Sequence, residues 1–203
     1  MDNIPALIVA TALLVMIPGP NVALIVATSL RRGLREGLLT VLGTTAGVGI
    51  QLALVVAGLA TLLEAAADAL HWLKWLGAAY LVYLGIRAWR RAAQPPPSAR
   101  SPEACRRAAW RGTMLAVLNP KTLLFNAAFL PQFLGSTTNA TSELILLSCV
   151  YLLVIAAGDM LWALFARSVR GWLEQRVALR ERATGALLVA AGTGLAAAAR
   201  RNA

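Results

Sequence analysis

Histidine occurs once and cysteine twice in the 203 residues of this chain, and acidic residues only nine times. These scarcities remove several kinds of chemistry at once. The lone His71 cannot build an imidazole metal site, and Cys105 and Cys149 have no partner at metal or redox spacing, so no disulfide, zinc or thiol centre is expected and no cofactor is implied. Carriers of heavy-metal cations would need soft or imidazole ligands inside the apolar runs, where only Cys149 is on offer. Carriers of thiol electrons would need two such cysteines. An intramembrane protease would need a zinc motif, a serine with a histidine base or a pair of aspartates, and the chain supplies none of these. The expectation is a protein that is not an enzyme.

What the chain has in abundance is apolar sequence, with 59% hydrophobic residues, only 14% charged ones and a mean hydropathy of +0.67. Soluble domains do not reach such values, so the fold class is an all-α membrane protein. Charges divide it into six apolar runs: Ile4 to Leu30, Leu38 to Leu63, Trp72 to Trp89, Met114 to Leu134, Leu144 to Ala166 and Ala183 to Ala199. The first, second and fifth comfortably exceed the roughly 20 residues needed to span a bilayer. The third and sixth are short, and rely on Arg90, Arg91, Arg200 and Arg201 snorkelling to the headgroups. A net charge of +10 and a pI near 11.2 would point to nucleic acid in a soluble chain. Position gives a better reason. Fifteen of the 19 cations lie after runs one, three and five or at their ends, so by the positive-inside rule those segments are cytoplasmic and both termini lie outside. The bilayer, and no nucleic acid, is the expected partner. Asp2 also stands where a signal peptide would carry its basic region.

The first run is interrupted near its middle by Pro18-Gly19-Pro20-Asn21. Each proline costs about 3 kcal/mol in a helix interior, and the glycine adds about 1 more. In lipid such a break is tolerated only where protein or a wet cavity takes over the freed backbone groups. A kink used only for packing is the plain alternative. A second break, Asn119-Pro120-Lys121, opens the fourth run about half a chain later, and paired interruptions in the two halves of a membrane protein point to a transporter's binding site. Between Ala92 and Ala109 the composition shifts to Gln94-Pro95-Pro96-Pro97-Ser98 and scattered arginines, a flexible cytoplasmic linker. The chain therefore divides into a first three-helix repeat (1–91), a linker (92–110) and a second three-helix repeat (111–203). Three is odd, so the repeats are inverted.

Few polar side chains stand within the runs. Gly43 and Gly47 have the spacing that lets two helix backbones approach, and Thr44 and Thr45 read as interhelical hydrogen bonding. Gln51 falls near the centre of its run, where an amide needs a partner or a cavity. Tyr80 and Tyr83 fit packing or substrate contact. Lys121 and Asp159 each sit roughly 5 to 6 Å to the cytoplasmic side of the midplane at 1.5 Å per residue. A charge there costs about 3 kcal/mol, so a pair or a water-filled path is expected. Lys121 is one of two lysines against seventeen arginines; lysine shifts its pKa on burial far more readily than arginine.

Taken together, Pro18-Gly19-Pro20, the glycine series from Arg32-Gly33 through Gly43 and Gly47, Gly77-Ala78-Ala79-Tyr80-Leu81 with Gly85, Asn119-Pro120-Lys121 with Phe125, Pro131-Gln132-Phe133 and Gly158-Asp159 resemble the lysine-exporter (LysE/RhtB-type) family of bacterial amino-acid exporters. The resemblance covers most of the length, and Asn126 departs from it by standing where an apolar or aromatic residue is usual. It implies export of amino acids across the bacterial inner membrane, driven by protons or membrane potential. The expected substrate site is Pro18, Gly19, Pro20, Asn21, Gln51, Asn119, Pro120, Lys121, Asn126 and Asp159, with Asp159 and Lys121 coupling to protons. Helix N-termini at the breaks and the Lys121 ammonium would hold a carboxylate, while Asp159 and unwound carbonyls would take an ammonium group. One buried acid and one buried base favour a neutral zwitterion. The alternatives are export of a cation or other small solute and a non-transporting scaffold, and self-association into a homo-oligomer stays open.

Overall fold

In the computed structural model, residues 3–59, 75, 79, 82–83, 85–86, 90, 102–135, 140–174 and 177–201 are described, and no strand occurs among them. The first apolar run forms two helices, α1 (Ile4–Met16) and α2 (Pro20–Arg32), whose axes differ by 57°. A tight turn at Gly33, the one positive-φ residue among those described, at 106°, leads into α3 (Leu34–Leu54), which continues as a π-helical turn over Val55–Leu59. Next come α4 (Pro102–Val117) and α5 (Pro120–Leu124). A π-helical turn (Phe125–Phe129) and a 3-10 turn (Leu130–Phe133) prolong α5. The segments Cys105–Val117 and Pro120–Phe133 are bent by 48° at the second break. Two long helices close the chain, α6 (Ala140–Glu174) and α7 (Val177–Arg201).

Leu34–Ala57 and Ala140–Arg170 are each long and apolar enough to cross a membrane, and the two bent pairs raise the number to four among the described residues if each is one span. The third expected run lies, apart from scattered positions, outside the described residues. The sixth falls within α7, which is not among those four. The outer surface is what a membrane protein requires: Leu13, Met16, Leu153 and Leu161 are more than half exposed, while Thr40, Thr44, Gln51 and Asp159 are buried. Apolar groups face outward here because lipid is their solvent, and polar groups turn inward to find partners.

The helix bearing the second break starts earlier than the composition indicated. Pro102 at its start and Glu103 in its first turn suit a helix N-terminus, so α4 extends back into the stretch expected as linker. Asn119-Pro120-Lys121 then lies inside a bent span, not at its opening. Its position is fixed by backbone contact with α3. A Cβ on Gly43 would lie 2.0 Å from the Ala109 carbonyl oxygen, one on Gly47 2.6 Å from that of Thr113, and one on Gly112 2.5 Å from that of Thr40. The small-residue spacing in α3 is therefore a packing device, matched by Gly112 on α4. On the other side, a Cβ at Gly158 would come within 2.4 Å of Val15 Cγ1, so α6 passes close to the end of α1. Leu7, Val48, Leu147 and Tyr151 fill the core between α1, α3 and α6. Ala23, Leu24, Leu115 and Leu188 fill a second one between α2, α4 and α7.

Candidate functional site

Each break follows the same local rule. The residue before a proline is driven out of the helical region; accordingly Ile17, before Pro18, has ψ 109°, Gly19, before Pro20, has ψ −169°, and Asn119, before Pro120, has ψ 107°. Pro20 and Pro120 then occupy first-turn positions of new helices, where a missing N–H costs nothing. What remains are the carbonyls left over at the ends of α1 and α4.

Those carbonyls are taken by side chains from the other half of the chain. At the end of α1, Lys121 Nζ donates to the carbonyls of Leu14 and Ile17, and Trp162 Nε1 donates to that of Val15 at 3.1 Å. Gln51 Nε2, on α3, donates at the end of α4 to the left-over Val117 O at 3.1 Å, and also to Ala116 O at 2.8 Å and Asn119 O at 3.4 Å, which accept the backbone N–H groups of Asn119 and Leu123 as well. Its Oε1 accepts from Asn126 Nδ2 at 3.0 Å. Asn119 completes this junction by accepting the Lys121 N–H on Oδ1 at 3.1 Å. An interhelical hydrogen bond in a membrane contributes about 0.6 kcal/mol on average, but a helix-end carbonyl stripped of its donor costs about 1 to 3 kcal/mol. Gln51→Leu is therefore expected to lower stability by about 2 kcal/mol, read as a fall in melting temperature of the detergent-purified protein.

The two breaks meet at one small cavity of about 20 Å³, room for about one water molecule. Gly19 and Asn21 from the first break, Asn119 and Lys121 from the second, and Asp159 and Ile155 from α6 all stand on its wall. Asp159 is only 2% exposed, and its Oδ2 accepts from Thr44 Oγ1 on α3 at 3.1 Å. Lys121 is spent on backbone carbonyls and Asp159 on a hydroxyl, so the acid and the base share a cavity without bonding each other. Asn21 Oδ1 is buried there and meets no donor among the described residues. Gly19 is small because the Lys121 stem passes over it, with Cδ 3.1 Å from where a Cβ would be.

Five of the residues singled out in the sequence thus gather at the cavity: Gly19, Asn21, Asn119, Lys121 and Asp159. Pro18 is exposed, and Pro20 and Pro120 are buried as the first residues of their helices. Gln51 and Asn126 stand behind the second break, bracing it. Sequence reasoning passed over Trp162 and treated Thr44 as general helix contact. The available signals were an indole N–H within a span, which needs an acceptor, one turn from an intramembrane aspartate, and a hydroxyl beside the close-packing glycines.

Residues 12–199 match the family model described as LysE type translocator. The chain belongs to this family. The translocator is 30% identical over 196 residues to a homoserine/homoserine lactone efflux protein of Salmonella typhimurium, covering 95% of each chain. It is 29% identical over 150 residues to a leucine efflux protein of Enterobacter sp., covering 72% of this chain and 71% of the other. An uncharacterized membrane protein of Pseudomonas aeruginosa is 31% identical over 201 residues, covering 94% and 93%. No solved structure matches the translocator. Family membership makes it a membrane transport protein and not an enzyme.

Proposed function

We propose that this translocator is a secondary transporter exporting a neutral or small zwitterionic amino acid from the cytoplasm, with Asp159 alternating between pairing with Lys121, binding substrate and carrying a proton. The observation that carries the reading is the meeting of two broken helices at one cavity that holds an acid and a base not bonded to each other. A zwitterion needs opposite partial charges close together in a dry setting. The free N–H groups at the start of α2, beside Gly19 and Asn21, offer the positive end, and Asp159 with the carbonyl end of α1 offers the negative one. The names of the relatives agree in kind: homoserine, its lactone and leucine share an α-ammonium and a side chain without charge.

In this reading the protein sits in the bacterial inner membrane with both termini outside, as two inverted three-helix repeats that rock about the cavity. The reciprocal bracing supports such a repeat. Gln51 of the first half holds the second break and Trp162 of the second half holds the first, at carbonyls three residues before Pro120 and Pro18.

Export from cells fed dipeptides tests the proposal. Cells expressing the protein are expected to release one or more neutral amino acids faster than control cells, and an uncoupler is expected to slow that release. Release indistinguishable from the control across all amino acids would remove the function.

A further inference from the structure

We infer that the carbonyls of Leu14 and Ile17 form the subsite for the substrate's α-ammonium, and that the Lys121 ammonium is a tethered stand-in which a substrate displaces. The inference rests on the export reading above and deepens it. Its first support is chemical identity. The group bound to those two carbonyls is a primary ammonium on an alkyl stem, the same donor that an amino acid presents. The end of a helix favours a cation there, and any primary ammonium of suitable reach satisfies it equally.

Space supplies the second support. The cavity has about 20 Å³ left, enough for roughly one water and not for an amino acid. A substrate arriving at these walls must move something, and Lys121 is the long, flexible side chain that occupies them. Its stem lies over Gly19 with no Cβ in the way. The third support is that somewhere is prepared for the displaced charge. Asp159 stands on the same wall and, among the described residues, is held by Thr44 alone, so the Lys121 ammonium can swing to a carboxylate while the substrate's ammonium takes the carbonyls. One ammonium replaces another at the end of α1, and the break never loses its cap. Asn21 Oδ1, buried and without a donor among the described residues, is a further acceptor for an N–H at the same place.

Two consequences follow. The site selects for a free primary ammonium more strictly than for a carboxylate. Lys121 also weakens apparent affinity, because a substrate binds only the fraction of protein whose carbonyls are free. This inverts the role expected from sequence, in which Lys121 holds the carboxylate.

The test is equilibrium binding of radiolabelled leucine and homoserine to purified full-length protein in lipid nanodiscs, for the wild type and Lys121→Met. Methionine keeps the stem and removes the ammonium. Lys121→Met is expected to bind the better of the two amino acids about tenfold more tightly than wild type, with propylammonium, the lysine tip alone, becoming an effective competitor in the variant only. Binding weakened about tenfold or more in a folded Lys121→Met protein would overturn the stand-in and return Lys121 to the carboxylate, leaving export intact. Should that variant not fold, competition in the wild type still decides. Leucine methyl ester is expected to compete and N-acetyl-leucine to fail, and the reverse order would overturn the subsite. If neither amino acid binds wild type or variant, the inference is overturned, and the export reading falls with it only if cells also release no amino acid faster than the control.

Discussion

Asp159→Asn is expected to cut export at least about a hundredfold, a loss near 2.8 kcal/mol in the rate-limiting barrier, and to abolish whatever pH dependence the wild type shows. Asparagine has almost the same shape as aspartate, and its carbonyl oxygen can still accept from Thr44 Oγ1, which stands 3.1 Å from the native Oδ2. The fold should therefore survive, and a normal melting temperature is part of the expected result. What the variant loses is a negative charge and a site for a proton at a position that is 2% exposed and on the wall where both broken helices meet. The measurement is export from cells, or counterflow in proteoliposomes, across a range of pH. Wild-type rates with an unchanged pH profile would deny Asp159 any part in coupling.

The second large effect concerns assembly. Gly43→Val is expected to prevent the protein from accumulating in folded form, with a destabilisation above about 3 kcal/mol. The obstacle is not another side chain that could turn aside. A Cβ at residue 43 would fall 2.0 Å from the Ala109 carbonyl oxygen and 2.8 Å from its carbonyl carbon, so α3 and α4 would have to separate along the whole contact that also includes Gly47 and Gly112. Separation would pull Gln51 off the carbonyls of Ala116 and Val117 and so unbrace the second break. Gly49→Ala is the control, because a Cβ there meets only Leu152 Cδ1, at 3.8 Å. Membrane yield and a monodisperse size-exclusion profile in mild detergent report both variants. Equal yields from Gly43→Val and Gly49→Ala would show that the close contact is dispensable.

These two residues also mark how far sequence reasoning reached. Asp159 stood out because a charge in an apolar run is costly and must be compensated, and Lys121 stood out for the same reason. Nothing in their spacing could say that the compensation would come from Thr44 and from the backbone of α1 instead of from each other. Gly43 and Gly47 carried their packing role openly in a four-residue spacing, but the surface they pack on, from Ala109 to Ala116, begins in what read as a linker with scattered arginines.

By itself the sequence determined that this is an apolar helical chain made for lipid, that two of its helices are broken, and where. Prolines enforce their dihedral angles whatever surrounds them, and hydropathy acts over a whole segment, so both are local or additive properties that survive without a fold. Only the tertiary structure decided who answers the broken ends. Lys121 and Trp162 reach back to α1, and Gln51 reaches forward to α4, across separations in the chain that no periodicity records. Such bonds depend on the direction of each side chain once helices have packed, and in a medium without water it is they that settle which arrangement of the same helices can exist.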